Sequence, residues 1–441
     1  MRRSHTLRLT ALTGVAALTL TGCLASSDDS SDSGGAGGSD SGDGVVEVFG
    51  AFTGTEQDSF EETIAPFEDE SGIDVKYTGN ADFTTLIQSN VQSGNPPDIG
   101  VFPQPGLLLD IAADGDIVPI DDYLDTAGLE ETLVPGLLDA VTDGEGTAYG
   151  APMKLAVKSL VWVPKQAWEQ GGYEVPATYQ DLLDLSEQIK SDGIAPWCLG
   201  MEAGTATGWY GTDWVEEMVL RVAGPDVYDQ WVAHEIPFDD PLIQESFDAY
   251  GEIVFGDLVL GGPEGILNTN VEDAHVPQLE SPPGCMMQRQ GNFVVDFYGA
   301  EVQKNLDDTY TVFAFPPYEG GFDGDPVLGG GDMVSLFNGD DDEAIQVAEF
   351  LTSPEFGAEW AQTGSFLSPH TTFDTSNYPN ETITEIAKIA TEADVFRFDA
   401  SDLMPAEVGA GTFWTGMVEW TSGDKTTEEV TQQIEESWPS S

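Results

Sequence analysis

The chain has 441 residues, of which 79 are Asp or Glu and 14 are Lys or Arg, so its formal net charge is -65. Nucleic-acid binding depends on clustered basic residues that displace counterions from phosphates, and so acidic a chain is unsuited to it. Hydrophobic residues make up 40% and aromatic residues 10%, which excludes a wholly disordered chain. The length fits about two domains or one large composite unit.

The first 22 residues have the features of an export signal. Arg2, Arg3 and Arg8 precede an apolar stretch at 9–20, which is too short to span a bilayer. The tetrad at 20–23, Leu-Thr-Gly-Cys, resembles the lipobox of bacterial lipoproteins, so Cys23 is predicted to be the lipidated N-terminus after cleavage. The alternative is an ordinary secretory signal with a chance cysteine. Cleavage removes three arginines and no acids, so the mature chain is still more acidic.

A tether is predicted at 23–44, because residues 24–44 contain seven Ser, six Gly and five Asp. Two cysteines remain beyond it, Cys198 and Cys285, in a chain exported to an oxidising compartment. We predict a disulfide between them; two buried free thiols are the alternative.

The body opens with an alternation of strands and helices. Apolar runs predict strands at 45–49, 73–77 and 98–102, and apolar residues at helical spacing predict helices at 56–70 and 83–92. This order implies a parallel sheet covered by helices. Ligands bind beyond the carboxyl ends of such strands, so the loops after Phe49 and Phe102 are candidate site loops.

The pattern changes in the second part of the chain. Extended segments are predicted at 149–155 and 157–163, and helices at 164–170, 179–190 and 213–222. A turn-rich crossing is predicted at 313–337, followed by a helix at 342–351 that continues at 354–363.

Several segments in this order resemble one family. They are the lipobox, the run ending in NPPDI at 95–99, the segment 151–162, and the helical region 348–360 with its Ser-Pro break. The chain resembles the extracellular solute-binding proteins of carbohydrate ABC transporters, the maltose-binding-protein class. Within that class, segments 195–200, 206–209, 212–214 and 397–416 resemble the α-glucoside-binding branch. The short motifs are weak individually, whereas their order over nearly the whole chain is more specific.

The resemblance implies an α/β fold with two lobes of the type II-like periplasmic-binding-protein class, each a mostly parallel sheet flanked by helices. Carried onto this chain, the N-terminal lobe comprises 45–157 and 330–367, and the C-terminal lobe comprises 158–329 and 368–441. Hinge crossings are expected near Lys158, Gly329 and Leu367. A solute is expected in the cleft between the lobes, with closure by a hinge motion.

Eleven residues are predicted to bind the solute. A sugar needs polar partners for its hydroxyls and flat rings for its C–H faces. The polar candidates are Thr53, Glu56, Gln104, Lys154, Lys158, Asp213 and Asp332, and the stacking candidates are Trp197, Trp209, Phe293 and Trp414. Relatives usually carry Trp at the position of Phe293. Each Trp has a core role as its alternative, and the two lysines could instead offset local acidity.

Three other functions are weighed against solute binding. A glycoside hydrolase needs two carboxylates about 5 to 10 Å apart, and among 79 acids nothing marks out one pair. A metal-uptake protein normally uses clustered His or paired Tyr, and His234, His275 and His370 are far apart. Serine or cysteine nucleophile chemistry is disfavoured, because there is no Gly-x-Ser-x-Gly motif.

The sequence therefore predicts a lipid-anchored, extracytoplasmic receptor for an α-glucoside or related small oligosaccharide, which delivers its solute to a membrane permease. It is expected to be a monomer and not an enzyme, with no cofactor, no bound metal and no nucleic-acid partner. A different solute, such as another sugar, a polyol, a peptide or a polyamine, is the alternative.

Overall fold

The computed structural model describes residues 44–439, so the predicted signal peptide, Cys23 and nearly all of the predicted tether lie outside the described residues. The strands are β1 Val45–Gly50, β2 Asp74–Gly79, β3 Ile99–Phe102, β4 Ala151–Val157, β5 Leu160–Pro164, β6 Ala195–Trp197, β7 Cys285–Arg289, β8 Tyr310–Ala314, β9 Pro326–Leu336 and β10 Val395–Phe398. They form a six-stranded sheet in the order β10-β9-β3-β1-β2, with β4 along β9, and a four-stranded sheet in the order β6-β7-β5-β8.

The helices cover both sheets. Their bounds are α1 Gly54–Ser71, α2 Phe83–Gln92, α3 Pro105–Ala113, α4 Thr126–Thr132, α5 Lys165–Gly171, α6 Tyr179–Ser191, α7 Trp209–Val222, α8 Pro225–Val232, α9 Pro241–Val254, α10 Gly262–Asn268, α11 Val294–Phe297, α12 Ala300–Lys304, α13 Leu306–Thr309, α14 Asp342–Leu351, α15 Ala358–Ala361, α16 Glu381–Glu392, α17 Ala400–Leu403, α18 Trp414–Ser422 and α19 Thr427–Glu436. A π-helical turn at Val408–Phe413 leads into α18. None of the helices in residues 44–439 combines the length and apolarity that a bilayer span requires.

The alternation predicted at the start of the body is confirmed. β1 pairs in parallel with β2 and with β3, and α1 and α2 connect them. The buried faces follow the apolar spacing, with Phe60 and Ile64 on α1 and Phe83 and Ile87 on α2. Local periodicity was therefore sufficient to locate this part of the fold.

Two later predictions differ from the structure. The region 313–337 contains β9, an eleven-residue strand, where a turn-rich crossing was predicted. Its glycines make close packing possible, since a Cβ at Gly331 would overlap the carbonyl oxygen of Lys154 on β4. The helix predicted at 354–363 is only α15, because Gly357 in the left-handed region (φ 80°) interrupts the chain just before it.

The second sheet is not mostly parallel. β5 pairs antiparallel with both β7 and β8, and only β6 and β7 are parallel. The chain enters this sheet through β5, whereas β7 and β8 lead back towards the first sheet, so they must run in the opposite direction. For the same reason β4 and β9 are antiparallel in the first sheet.

Two hydrophobic cores correspond to the two sheets. Val157, Leu160 and Trp162 lie in the first core, and Val161 and Val163 lie in the second, so β5 packs against both cores. Leu367 lies in the first core and bridges Leu155. Phe398 lies in the first core and Ala400 in the second. The predicted hinge crossings and lobe boundaries stay predictions.

The disulfide between Cys198 and Cys285 is present. It joins the end of β6 to the start of β7, next to the backbone hydrogen bond from Cys198 N–H to the Met287 carbonyl. The two cysteines are 87 residues apart, so the bond removes substantial freedom from the unfolded chain.

Candidate functional site

A cavity of about 510 Å³ lies where segments from the two cores face each other. The loops after β1 and β3, which we expected to form the site, both contribute to its wall. Ten of the eleven predicted ligand residues line it, namely Thr53, Glu56, Gln104, Lys154, Lys158, Trp209, Asp213, Phe293, Asp332 and Trp414. The volume is within the range of about 300 to 1,000 Å³ typical of small-molecule sites.

Trp197 is the exception and requires a correction. Its side chain is 0% exposed and lies in the second core, with its ring 5.2 Å from that of Trp214. Its Nε1–H donates to Ser186 Oγ at 3.1 Å. Because the indole packs between Ser186 of α6 and Trp214 of α7, it stabilises the second core and does not line the cavity.

Three aromatic rings contribute flat surfaces to the cavity. Trp209 is partly exposed at the start of α7, and its ring centroid is 6.0 Å from that of Phe293. Trp414 starts α18 and is 6% exposed. Gly208 brings the two tryptophans together, because at φ 121° it tolerates the Trp414 carbonyl oxygen where a Cβ would overlap it.

Lys154, on β4, organises one side of the cavity. Its ammonium forms an ion pair with Glu56 and lies 4.7 Å from the ring centroid of Trp360. Burial alone would lower the pKa of Lys154, but the carboxylates of Glu56, Asp296 and Asp332 outweigh burial and raise it. Lys154 is therefore a buried cation whose partners come from four separate parts of the chain.

Lys158 organises the other side. Its Nζ is 3.0 Å from Asp213 Oδ1 and also bonds Asp399. The ammonium lies 5.7 Å from the Trp209 ring centroid. Burial opposes the charge, yet Asp213 and Asp399 together raise the pKa of Lys158 well above its usual value.

The carboxylates around Lys158 have very different proton affinities. Burial raises the pKa of Asp213 to about 7, with Lys158 acting in the opposite direction. Asp399 is equally buried, but Lys158 and hydrogen bonds from its neighbours hold its pKa well below the usual range. The charge of the group is thus concentrated on the Lys158–Asp399 pair.

Helix α7 connects this group to other segments of the chain. Glu217 on α7 accepts hydrogen bonds from Ser159 Oγ at 2.7 Å and from Arg289 Nη2 at 3.0 Å. Ser159 Oγ in turn accepts from the Leu328 N–H at 2.8 Å. Ser159, Arg289 and Leu328 are therefore linked to one buried end of α7, where Asp399 also lies close to Asp213 and Glu216.

Three carboxylates on this face, Asp213, Glu216 and Asp399, have oxygens within 4.8 Å of one another, close enough to hold a metal ion. However, the Lys158 ammonium already contacts Asp213 and Asp399. A metal would have to displace this lysine, so the cation of the group is supplied by the chain itself.

Asp332 lies on β9 directly opposite Lys154 and is 9% exposed. Burial raises the pKa of Asp332 to about 7; Lys154 and Lys158 act against this shift and Glu56 reinforces it. The preceding glycines chiefly allow β9 to pack on its neighbours, while Gly330 and Gly331 also line the cavity.

Sequence analysis missed several acids at the site. Asp399 and Asp402 line the cavity. Asp296 lies close to Lys154 and Glu56, and burial raises its pKa to about 7. The segment around Asp399 was noted for its resemblance alone. With 79 acids in the chain, no local signal distinguished these from solvated surface carboxylates.

Hydrogen bonds also connect the two sides of the cleft around the edge of the cavity. Thr205 Oγ1 donates to Asp82 across its mouth, and the Ala406 N–H donates to Asp110 Oδ2 at 3.0 Å. Gly106 on α3 approaches the carbonyl of Met404 so closely that a Cβ would overlap it. The two sides of the cleft are thus in direct contact in the described structure.

Replacing Lys158 with Met is expected to destabilise the fold by about 3 to 5 kcal/mol, because Asp213 and Asp399 would lose the cation that compensates their burial. Urea unfolding at pH 7 measures this. Lys76→Met is the matched control, since the Lys76–Asp74 pair is exposed and should matter little. Equal unfolding midpoints for the two variants would contradict the role assigned to Lys158.

Asp332→Asn is expected to raise the melting temperature at pH 8 and to leave it nearly unchanged at pH 4. Asp332 has a pKa of about 7 in the fold against 3.8 as its ordinary value, so the folded state binds the extra proton. The stability associated with that proton is complete below about pH 4 and is lost as the pH rises through 7. Asp308→Asn, at an exposed position, is the control. A melting difference independent of pH would contradict this assignment.

The chain was compared with known proteins. It matches the bacterial extracellular solute-binding protein family over residues 53–358. It is 42% identical over 395 residues to the osmoprotective compounds-binding protein GgtB of Synechocystis sp., covering 89% of this chain and 92% of that protein. It is 36% identical over 405 residues to the alpha-glucosides-binding periplasmic protein AglE of Rhizobium meliloti, covering 90% and 87%.

Among solved structures, the bacterial solute receptor AcbH has a TM-score of 0.76 at 19% identity, covering 90% of this chain and 97% of that one. This likeness confirms the two-lobe fold. The family consists of binding proteins, which agrees with the expectation that this chain is not an enzyme. The chain belongs to the family of bacterial extracellular solute-binding proteins.

Proposed function

We propose that this protein is the receptor of an ABC importer and captures an α-glucoside or a related small oligosaccharide in the cavity. The observation that carries the proposal is the meeting of aromatic rings and buried polar groups in one cavity of about 510 Å³ between the two cores. The relative named for α-glucosides supports this solute class, whereas a more similar one is named only for osmoprotective compounds.

The cavity offers what a sugar requires. Carboxylates such as Asp213 and Asp332 accept hydrogen bonds from hydroxyl groups, and Lys158 and Gln104 can donate to them. The rings of Trp209 and Phe293 supply apolar faces for the C–H side of a pyranose. This alternation of polar and apolar wall favours a polyol over a peptide or a metal ion.

The solute would be held by both sides of the cleft. Glu56 and Asp332 belong to segments of the first sheet, whereas Trp209 and Asp213 lie on α7 in the second core. A solute that bonds both sets stabilises the closed arrangement by hinge closure. The closed, loaded protein is the form that we propose is delivered to the permease, with the protein acting as a monomer.

Lipid attachment at Cys23 is part of the proposal and rests on the sequence alone. Attachment through a tether of about 20 residues would keep the receptor near the permease. Cys23→Ala should move the protein from the membrane fraction of its own bacterium to the medium or periplasm. An unchanged membrane fraction would remove the anchor from the proposal.

A thermal-shift panel of maltose, trehalose, sucrose, glucose and longer oligosaccharides tests the solute class. A solute that binds only the folded state raises the melting temperature. A panel without any shift would contradict sugar binding. Chromatography of the same mixtures after incubation also tests the hydrolase alternative, because released monosaccharide would reveal catalysis.

Trp209→Ala and Trp414→Ala should each weaken binding of the best solute by roughly 1 to 3 kcal/mol, since each removes a ring face from the cavity. Isothermal titration calorimetry measures the loss. Phe255→Ala is the control, because Phe255 is 50% exposed and lies away from the cavity. Unchanged affinity in both tryptophan variants would exclude these rings from the binding site.

A further inference from the structure

The cavity wall carries an excess of negative charge. Seven carboxylates and two lysines line it among the residues that the structure describes. Both lysines are already matched, since Lys154 pairs with Glu56, and Lys158 pairs with Asp213 and Asp399. The lining cations therefore neutralise only part of the acidic wall.

Four of the seven lining carboxylates form no ion pair in the part of the chain that the structure describes. Asp82 and Glu272 are exposed to solvent, whereas Asp332 is buried and Asp402 is half-buried. Asp332 and Asp402 are therefore the two carboxylates that are withdrawn from water without a cation. Within residues 44–439, neither forms an ion pair with a Lys or Arg. Burial raises the pKa of Asp332, and burial together with nearby Asp399 raises that of Asp402. Each ionised carboxylate lacks a direct counter-charge, so a cation that entered the cavity would stabilise it.

The groups that face these two carboxylates are consistent with an incoming cation. Lys154, Lys158 and Glu56 act on Asp332, and Lys158, Asp213 and Asp399 act on Asp402, where Gln104 also hydrogen-bonds. The two lysines are close enough to act electrostatically on Asp332 and Asp402, but their ammonium groups form ion pairs with other carboxylates. An additional positive charge would thus meet, at Asp332 and at Asp402, a carboxylate that has no ion-pair partner among residues 44–439.

The remaining wall suits the same kind of solute. The faces of Trp209, Phe293 and Trp414 can pack against C–H groups, and aromatic faces also attract cations. The cavity volume of about 510 Å³ is large enough for a small sugar and leaves little room for a polymer. The solute that matches both parts of the wall is a polyol frame carrying a positive charge.

We propose that the cavity prefers sugars or polyols that bear a protonated amine over their uncharged analogues, with Asp332 and Asp402 receiving the ammonium group. The inference rests on the proposed sugar-receptor function and narrows its solute class. A hydrogen bond between an ammonium and a carboxylate is stronger than one from a hydroxyl, so the expected preference is about tenfold in Kd.

The test uses matched pairs: trehalose, maltose and sucrose, each with its 6-amino-6-deoxy analogue, titrated by calorimetry at pH 8 and low salt. The mature chain, Asp332→Asn, Asp402→Asn and the exposed control Asp308→Asn are compared, with melting curves to establish folding. For at least one pair, the amino sugar should bind the mature chain and the control variant about tenfold more tightly than the neutral sugar does, or should be the only member of the pair that binds. In at least one cavity variant that advantage should fall below about threefold.

The outcomes separate this inference from the proposed function. If the neutral sugars bind as tightly as their amines, the inference is overturned and the sugar receptor stands. If no member of any pair binds, both fail. If the amine advantage is unchanged in both cavity variants, the assignment to Asp332 and Asp402 is wrong.

Discussion

The buried ion pair of Lys158 with Asp213 and Asp399 is the interaction on which the rest of the structure depends. Lys158 lies between β4 and β5, Asp213 lies on α7, and Asp399 directly follows β10. Charges removed from water need a partner with good geometry, so these three segments cannot separate without a large cost. This one ammonium group thereby joins α7 to two segments that are distant from it in the sequence.

The same group also lines the cavity. Lys158, Asp213 and Asp399 all line the cavity, while Ser159 and Glu217 tie the adjoining backbone to α7. Under the proposed function, a solute that exchanges hydrogen bonds with this group would contact residues that tie α7 to β4, β5 and β10. Closure would then require no relay through distant side chains.

Because basic residues are scarce, few positions in the chain can neutralise a buried carboxylate. The chain has 14 Lys and Arg, and four of them, Lys154, Lys158, Arg221 and Arg289, are buried against carboxylates. The many exposed acids on the surface have no comparable positional requirement. In a protein with so large a negative charge, the location of each buried cation decides which carboxylates form buried ion pairs and which line the cavity without one.

The sequence by itself predicted the order of strands and helices and the site loops after β1 and β3, because apolar periodicity is a local property of the chain. It also marked out Lys154 and Lys158, because basic residues are rare in this composition. Tertiary structure decided which tryptophans face the cavity. Trp197 and Trp209 lie in the same tryptophan-rich stretch of the sequence, but only the packing of α6 and α7 encloses Trp197. Tertiary structure also selected Asp399 and Asp402 from 79 acids. The lysine that bonds Asp399 is 241 residues away in the chain and also acts on Asp402, and no local pattern encodes such a contact.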